Sequence, residues 1–105
     1  MIKIVIKRDV SSQKITSIEV KGHAGSDVYG KDLVCAAVSS IVIGGANAIT
    51  NPKCFAFQEQ EGLFQIQAVC PINEHDKDVL KTILTQLKTV AEEFPKNVQI
   101  VEKGN

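Results

Sequence analysis

The chain has 105 residues, equal numbers of acidic and basic side chains, and an apolar fraction of 44%. Such a length leaves room for one domain, and such a composition excludes a disordered chain. Zero formal charge without a Lys/Arg run argues against a nucleic-acid surface, and no unbroken apolar stretch suits a secretory signal or a membrane span.

Residues 2–8 alternate, with Ile2, Ile4 and Ile6 on one face and Lys3, Val5 and Lys7 on the other. That period predicts a half-buried strand. Residues 9–14 are polar and turn-like. Residues 15–21 follow as a second strand, with Ile18 and Val20 facing inward, and the short connection predicts an antiparallel hairpin.

A loop rich in glycine comes next: Gly22, His23, Ala24, Gly25, and on to Tyr29 and Gly30. It leads into an apolar stretch over residues 32–49 that predicts a helix buried on more than one side. Asp32 is a good N-cap, because its carboxylate can take a bond from a backbone N–H that lacks a helical partner. Cys35 then falls in the first turn, where the helix dipole favours a thiolate. Opposing this, the Asp32 carboxylate is itself negative; a protonated His23 near the sulfur would offset it. Two readings of the pair stand side by side. Cys35 is a nucleophile with His23 as its base, or Cys35 is a small buried apolar residue and His23 a loop residue. Ser39 lies one turn beyond Cys35 on the same face, within reach of it or bonded back to its own helix. Gly44 and Gly45, inside the helix, mark either a close approach by another backbone or a bend.

Asn51-Pro52 ends the helix. Residues 53–60 and 63–70 read as a second hairpin around Glu61-Gly62. Phe55 and Phe57 point one way, as core side chains or as the lining of an apolar pocket. Asn73 caps a second helix, with Asp76 three residues on. Val79, Leu80, Ile83, Leu84, Leu87, Val90, Ala91 and Phe94 form its apolar stripe. Pro95 ends it, and residues 98–101 form a last strand. The predicted fold is α+β: a two-layer domain of ββαββαβ order, with a largely antiparallel sheet packed by two helices.

Three cysteines without a secretory signal predict a cytoplasmic protein with thiols. Cys54 and Cys70 lie where a hairpin allows a disulfide, but the compartment favours two small buried thiols. His23, Cys35, Cys54, Cys70 and His75 show no CxxC, CxxH or HxxxH spacing, so no metal site is expected. His75 reads as a surface residue at a helix start. The glycine loop matches neither the P-loop nor the dinucleotide fingerprint.

The run Gly22-His23-Ala24, a loop ending in Gly30, and the continuous Asp32-Leu33-Val34-Cys35-Ala36-Ala37-Val38-Ser39 resemble the ribosomal-processing cysteine proteases called Prp. Length and element order fit that family across essentially the whole chain. The resemblance implies His23 and Cys35 as the catalytic pair, with Asp32 and Ser39 in supporting roles. It also implies a homodimer, no cofactor, and a substrate that is the N-terminal extension of the twenty-seventh large-subunit ribosomal protein, ending in aromatic residues before the cut. Gly22, Ala24, Gly25, Tyr29 and Gly30 would then belong to a loop over the substrate, with residues 24–31 acting as a lid. Two other functions remain: a non-enzymatic ribosome-associated module, and a thiol redox sensor using Cys35. No contact with nucleic acid or membrane is expected.

Overall fold

The computed structural model describes the backbone of residues 1–22 and 29–104 and the side chains of residues 1–22 and 33–104. Strand β1 (Ile2–Arg8) and strand β2 (Ile15–Lys21) pair antiparallel, joined by the expected polar turn. In that turn the Asp9 carboxylate accepts bonds from Ser11, at 2.6 Å, and from Ser12. Alternation along β1 does its work: Ile2, Ile4 and Ile6 are buried while Lys3 and Lys7 are exposed. Val5, on the opposite face, is buried as well.

Helix α1 (Tyr29–Asn47) is followed by a single 3-10 turn at Pro52–Cys54 and by strands β3 (Phe55–Gln60) and β4 (Leu63–Ala68). Gly62 adopts φ +75° between those strands, a conformation that favours glycine. Helix α2 (Glu74–Glu93) then crosses to strand β5 (Val98–Gly104). The order ββαββαβ and the α+β class are as predicted. Strands lie in the order β3-β4-β2-β1-β5, and all neighbours are antiparallel except β1 and β5, which run parallel. A parallel pair needs a crossover, which α2 completes.

The core joins Ile4, Ile6, Ile18 and Ile66 of the sheet to Val34, Val38 and Val42 of α1 and to Leu80, Ile83, Leu84 and Leu87 of α2. Gly45 lies where the helices meet: a Cβ there would collide with the Ile83 side chain, whereas one at Gly44 would meet open space. Close approach within the chain therefore accounts for Gly45 and not for Gly44.

Four expectations are corrected. First, α1 begins at Tyr29, so Asp32 is not its N-cap; Cys35 lies in the second turn, beyond the reach of the terminal dipole. Second, α1 is not buried all round: Val34, Val38 and Val42 form one buried stripe, while Leu33 and Ile43 are exposed. Third, Cys54 and Cys70 form a disulfide, with their Cα atoms 5.0 Å apart. They flank the Phe55–Ala68 pair of the hairpin, and the Val69 N–H donates to the Cys54 carbonyl at 2.8 Å. Strand pairing brings the two sulfurs together, whereas compartment bears only on how much of the pair is oxidised. Fourth, Phe94 ends the second helix as a partly exposed C-cap rather than a stripe residue.

Candidate functional site

Cys35 and Ser39 are separated by one helical turn on α1, and both line a cavity of about 200 Å³. Its floor includes Ile2 and Val20 of the sheet, and its far wall is the β3–β4 hairpin, through Glu59, Gln60, Gly62, Leu63 and Phe64. Cys35 is half-buried, packed against the core edge, and it takes no part in the disulfide. Among the described residues, no bond runs from Ser39 back to its own helix, unlike Thr82, Thr85 and Thr89 on α2.

Gly22 lies at the mouth of this cavity, with φ +90°. A Cβ there would come within 2.6 Å of the Met1 carbonyl oxygen, so both conformation and space require glycine. Its N–H donates to the Gly62 carbonyl at 2.9 Å, tying the end of β2 to the hairpin tip.

A second cavity of about 410 Å³ adjoins the first and shares Ile43, Glu59 and Phe64 with it. Ala46, Ile49, Pro52 and Phe57 complete much of its apolar lining. The two make one groove between α1 and the hairpin, with Cys35 toward one end and Phe57 toward the other. Phe57 is 44% exposed, so of the two aromatics on that strand face, Phe55 belongs to the core and Phe57 to the groove.

His23, Ala24 and Gly25 lie outside the described residues, and with them the first part of the segment expected to form a lid. Tyr29 and Gly30 belong to the first turn of α1 rather than to a loop, and the side chains of Tyr29 and Asp32 lie outside the description. The N–H groups of α1 that lack a partner within the helix are those of its first four residues, and the Cys35 N–H is not among them. Among the described residues, no three of His, Cys, Asp and Glu cluster closely enough to hold a metal ion, and no helix is long and apolar enough to cross a membrane.

Behind the groove, Asp76 at the start of α2 is fully buried. Its carboxylate accepts the Thr50 N–H at 2.8 Å, the Thr50 hydroxyl at 2.8 Å and the Asn51 N–H at 3.0 Å. These bonds fix the chain between α1 and β3, and with it the base of the hairpin wall. Glu59 and Asp76 both went unnoticed as site and support residues. Glu59 left a faint signal, as the one charge on a strand face that also carries Phe55 and Phe57.

A nucleophilic side chain on the wall of an extended groove is an arrangement suited to a peptide. The sequence profile of the cysteine protease Prp family matches residues 1–99. The chain belongs to the cysteine protease Prp family. Among similar Prp proteins is the ribosomal processing cysteine protease Prp of Staphylococcus aureus, 32% identical over 91 residues, covering 83% of this chain and 86% of the relative. The Mycoplasma genitalium protein of the same name is 33% identical over 101 residues, covering 95% of this chain and 98% of the relative. The S. aureus Prp structure with a covalently linked product peptide superposes with a TM-score of 0.83 at 31% identity, covering 98% of this chain and all of that one. Prp membership makes the chain a cysteine protease, a hydrolase of peptide bonds.

Proposed function

We propose that this protease removes the N-terminal extension of the twenty-seventh large-subunit ribosomal protein, with Cys35 as nucleophile and His23 as base. The observation that carries the reading is the placement of Cys35 on the groove between α1 and the hairpin. His23 takes the Cys35 proton, and the thiolate attacks the scissile carbonyl, forming a C–S bond. Collapse breaks the C–N bond while His23 protonates the leaving amine; water then hydrolyses the thioester. Asp32 and Ser39 support the pair, Ser39 from the same cavity wall. Gly22, Ala24, Gly25, Tyr29 and Gly30 border the peptide, which enters past the segment between base and nucleophile. The names of the relatives, which refer to ribosomal processing, and a relative solved with a substrate peptide support this choice of substrate.

The protein acts in the cytoplasm, without a cofactor, as a single-domain protomer of a homodimer. A redox-sensor role for Cys35 is disfavoured because the other two cysteines bond to each other. A passive ribosome-associated module would not cleave. Incubation with a peptide copying the ribosomal N-terminus should yield two fragments by mass spectrometry. Cys35→Ala and His23→Ala should each remove that activity while the far-ultraviolet circular dichroism stays native. Cleavage by the Cys35→Ala protein would refute the mechanism.

A further inference from the structure

We propose that Glu59 is a specificity-determining residue that selects a basic side chain, Lys or Arg, in the bound peptide. The proposal rests on the protease reading above and deepens it. Glu59 lines both cavities of the groove, between Cys35 in one and Phe57 in the other. It is the single charged side chain among the described residues lining either. Among the described side chains of the facing helix, from Leu33 to Asn47, none is cationic, and the one ionisable group is Cys35. No Lys, Arg or His among the described residues forms an ion pair with Glu59. Its backbone is held in register opposite Phe64. That places it on the strand face of Phe55 and Phe57, toward the helices.

A carboxylate with no cationic partner among the described residues, on a groove whose other described lining is uncharged, sets the sign of the potential a peptide meets there. A cationic side chain gains an ion pair, and an anionic one meets a like charge. Long Lys and Arg stems also suit the apolar walls beside Ile43 and Phe64. An alternative role exists for such a charge: β3 is an edge strand, and edge charges deter unwanted pairing. That role predicts no preference among peptides.

The test uses matched peptides carrying Lys, Gln or Glu at one position at a time, on either side of the cut. Wild type, Glu59→Gln and Glu59→Lys are compared by kcat/KM. At one position, wild type should favour Lys over Glu by about tenfold, the joint effect of one exposed ion pair gained and one like-charge contact avoided. The ratio should fall toward one in E59Q and invert in E59K, and added salt should shrink it. A Lys/Glu ratio that is the same in all three proteins at every position overturns the proposal while leaving the protease intact. Failure of wild type to cut any peptide overturns the underlying reading instead.

Discussion

Asp76→Asn should cost about 3–4 kcal/mol of folding stability and remove one source of acid sensitivity. The Asp76 side chain is fully buried and accepts two backbone N–H bonds and a hydroxyl bond from Thr50 and Asn51. Hydrogen bonds to a charged group contribute about 1.5–3 kcal/mol each. An Asn keeps one acceptor oxygen, so it can retain the Thr50 contacts without their charge; against the Asn51 N–H it presents a second donor. One strong bond becomes a repulsive contact and two others weaken, which gives the estimate. At about 4–8 °C per kcal/mol for a domain near this size, Tm should fall by roughly 12–32 °C. Burial pushes the Asp76 carboxyl up, but the Thr50 N–H, the His75 ring, the Thr50 hydroxyl and the Asn51 N–H together hold it well below its ordinary value of 3.8. A carboxyl depressed in the folded state stabilises the fold above its unfolded pKa, and that contribution is lost as pH falls through the folded value. The Tm gap between wild type and Asp76→Asn should therefore be widest near neutrality and narrow below about pH 4. Thermal unfolding by circular dichroism at pH 7 and pH 3 measures both. A Tm loss under 5 °C at pH 7, or a gap that widens in acid, would refute the reasoning.

The neighbouring glycines of α1 should respond in opposite directions. Gly44→Ala has open space and should stabilise by up to about 1 kcal/mol, whereas Gly45→Ala drives a methyl into Ile83 and should cost about 1–3 kcal/mol. Urea midpoints check the pair, and equal signs would count against the packing account. Reducing the Cys54–Cys70 bond, whose cysteines are 16 positions apart, should lower stability by about 3 kcal/mol, read as a shift in urea midpoint with and without reductant. In the same samples, iodoacetamide should modify Cys35 alone before reduction and all three cysteines after reduction and unfolding, as peptide mapping will show.

Much of this was legible because short-range periodicity reports directly on burial. The bounds of β1 and β2 coincide with the alternating runs, since a strand with one covered face writes its period into the sequence. The start of α1 did not show, because Tyr29, Gly30 and Lys31 carry no apolar pattern and Asp32 has ideal capping chemistry. A local cap signal lost to a helix that extends beyond it. At α2 the cap reading holds: the Asp76 N–H donates to the Asn73 side chain at 2.8 Å. The other half of that residue's role was invisible, because its carboxylate bonds to residues 25 and 26 positions earlier. Contacts at such range leave no periodic trace. The groove was legible at Gly22, Cys35 and Ser39 and, as one of two readings, at Phe57; the rest of its opposite wall depends on β4 pairing with β2, which the order of elements alone does not specify.

The groove walls are held at both ends, and that bears on how the protease chooses a peptide. At one end, Asp76 fixes Thr50 and Asn51 to α2, the Asn51 side chain reaches the Cys54 sulfur at 3.2 Å, and the disulfide clamps the base of the hairpin. At the other, the Gly22–Gly62 backbone bond ties the hairpin tip to β2. Between these ties the hairpin cannot swing far from α1 without breaking bonds at both ends, of which those to the buried Asp76 carboxylate are the costly ones, about 1–3 kcal/mol for each group left unsatisfied. Preformed walls discriminate through what lines them rather than through refolding around the ligand. On the proposed reading, selection along the groove falls to a few side chains: Cys35 for chemistry, Phe57 and Phe64 for apolar fit, and Glu59 for charge.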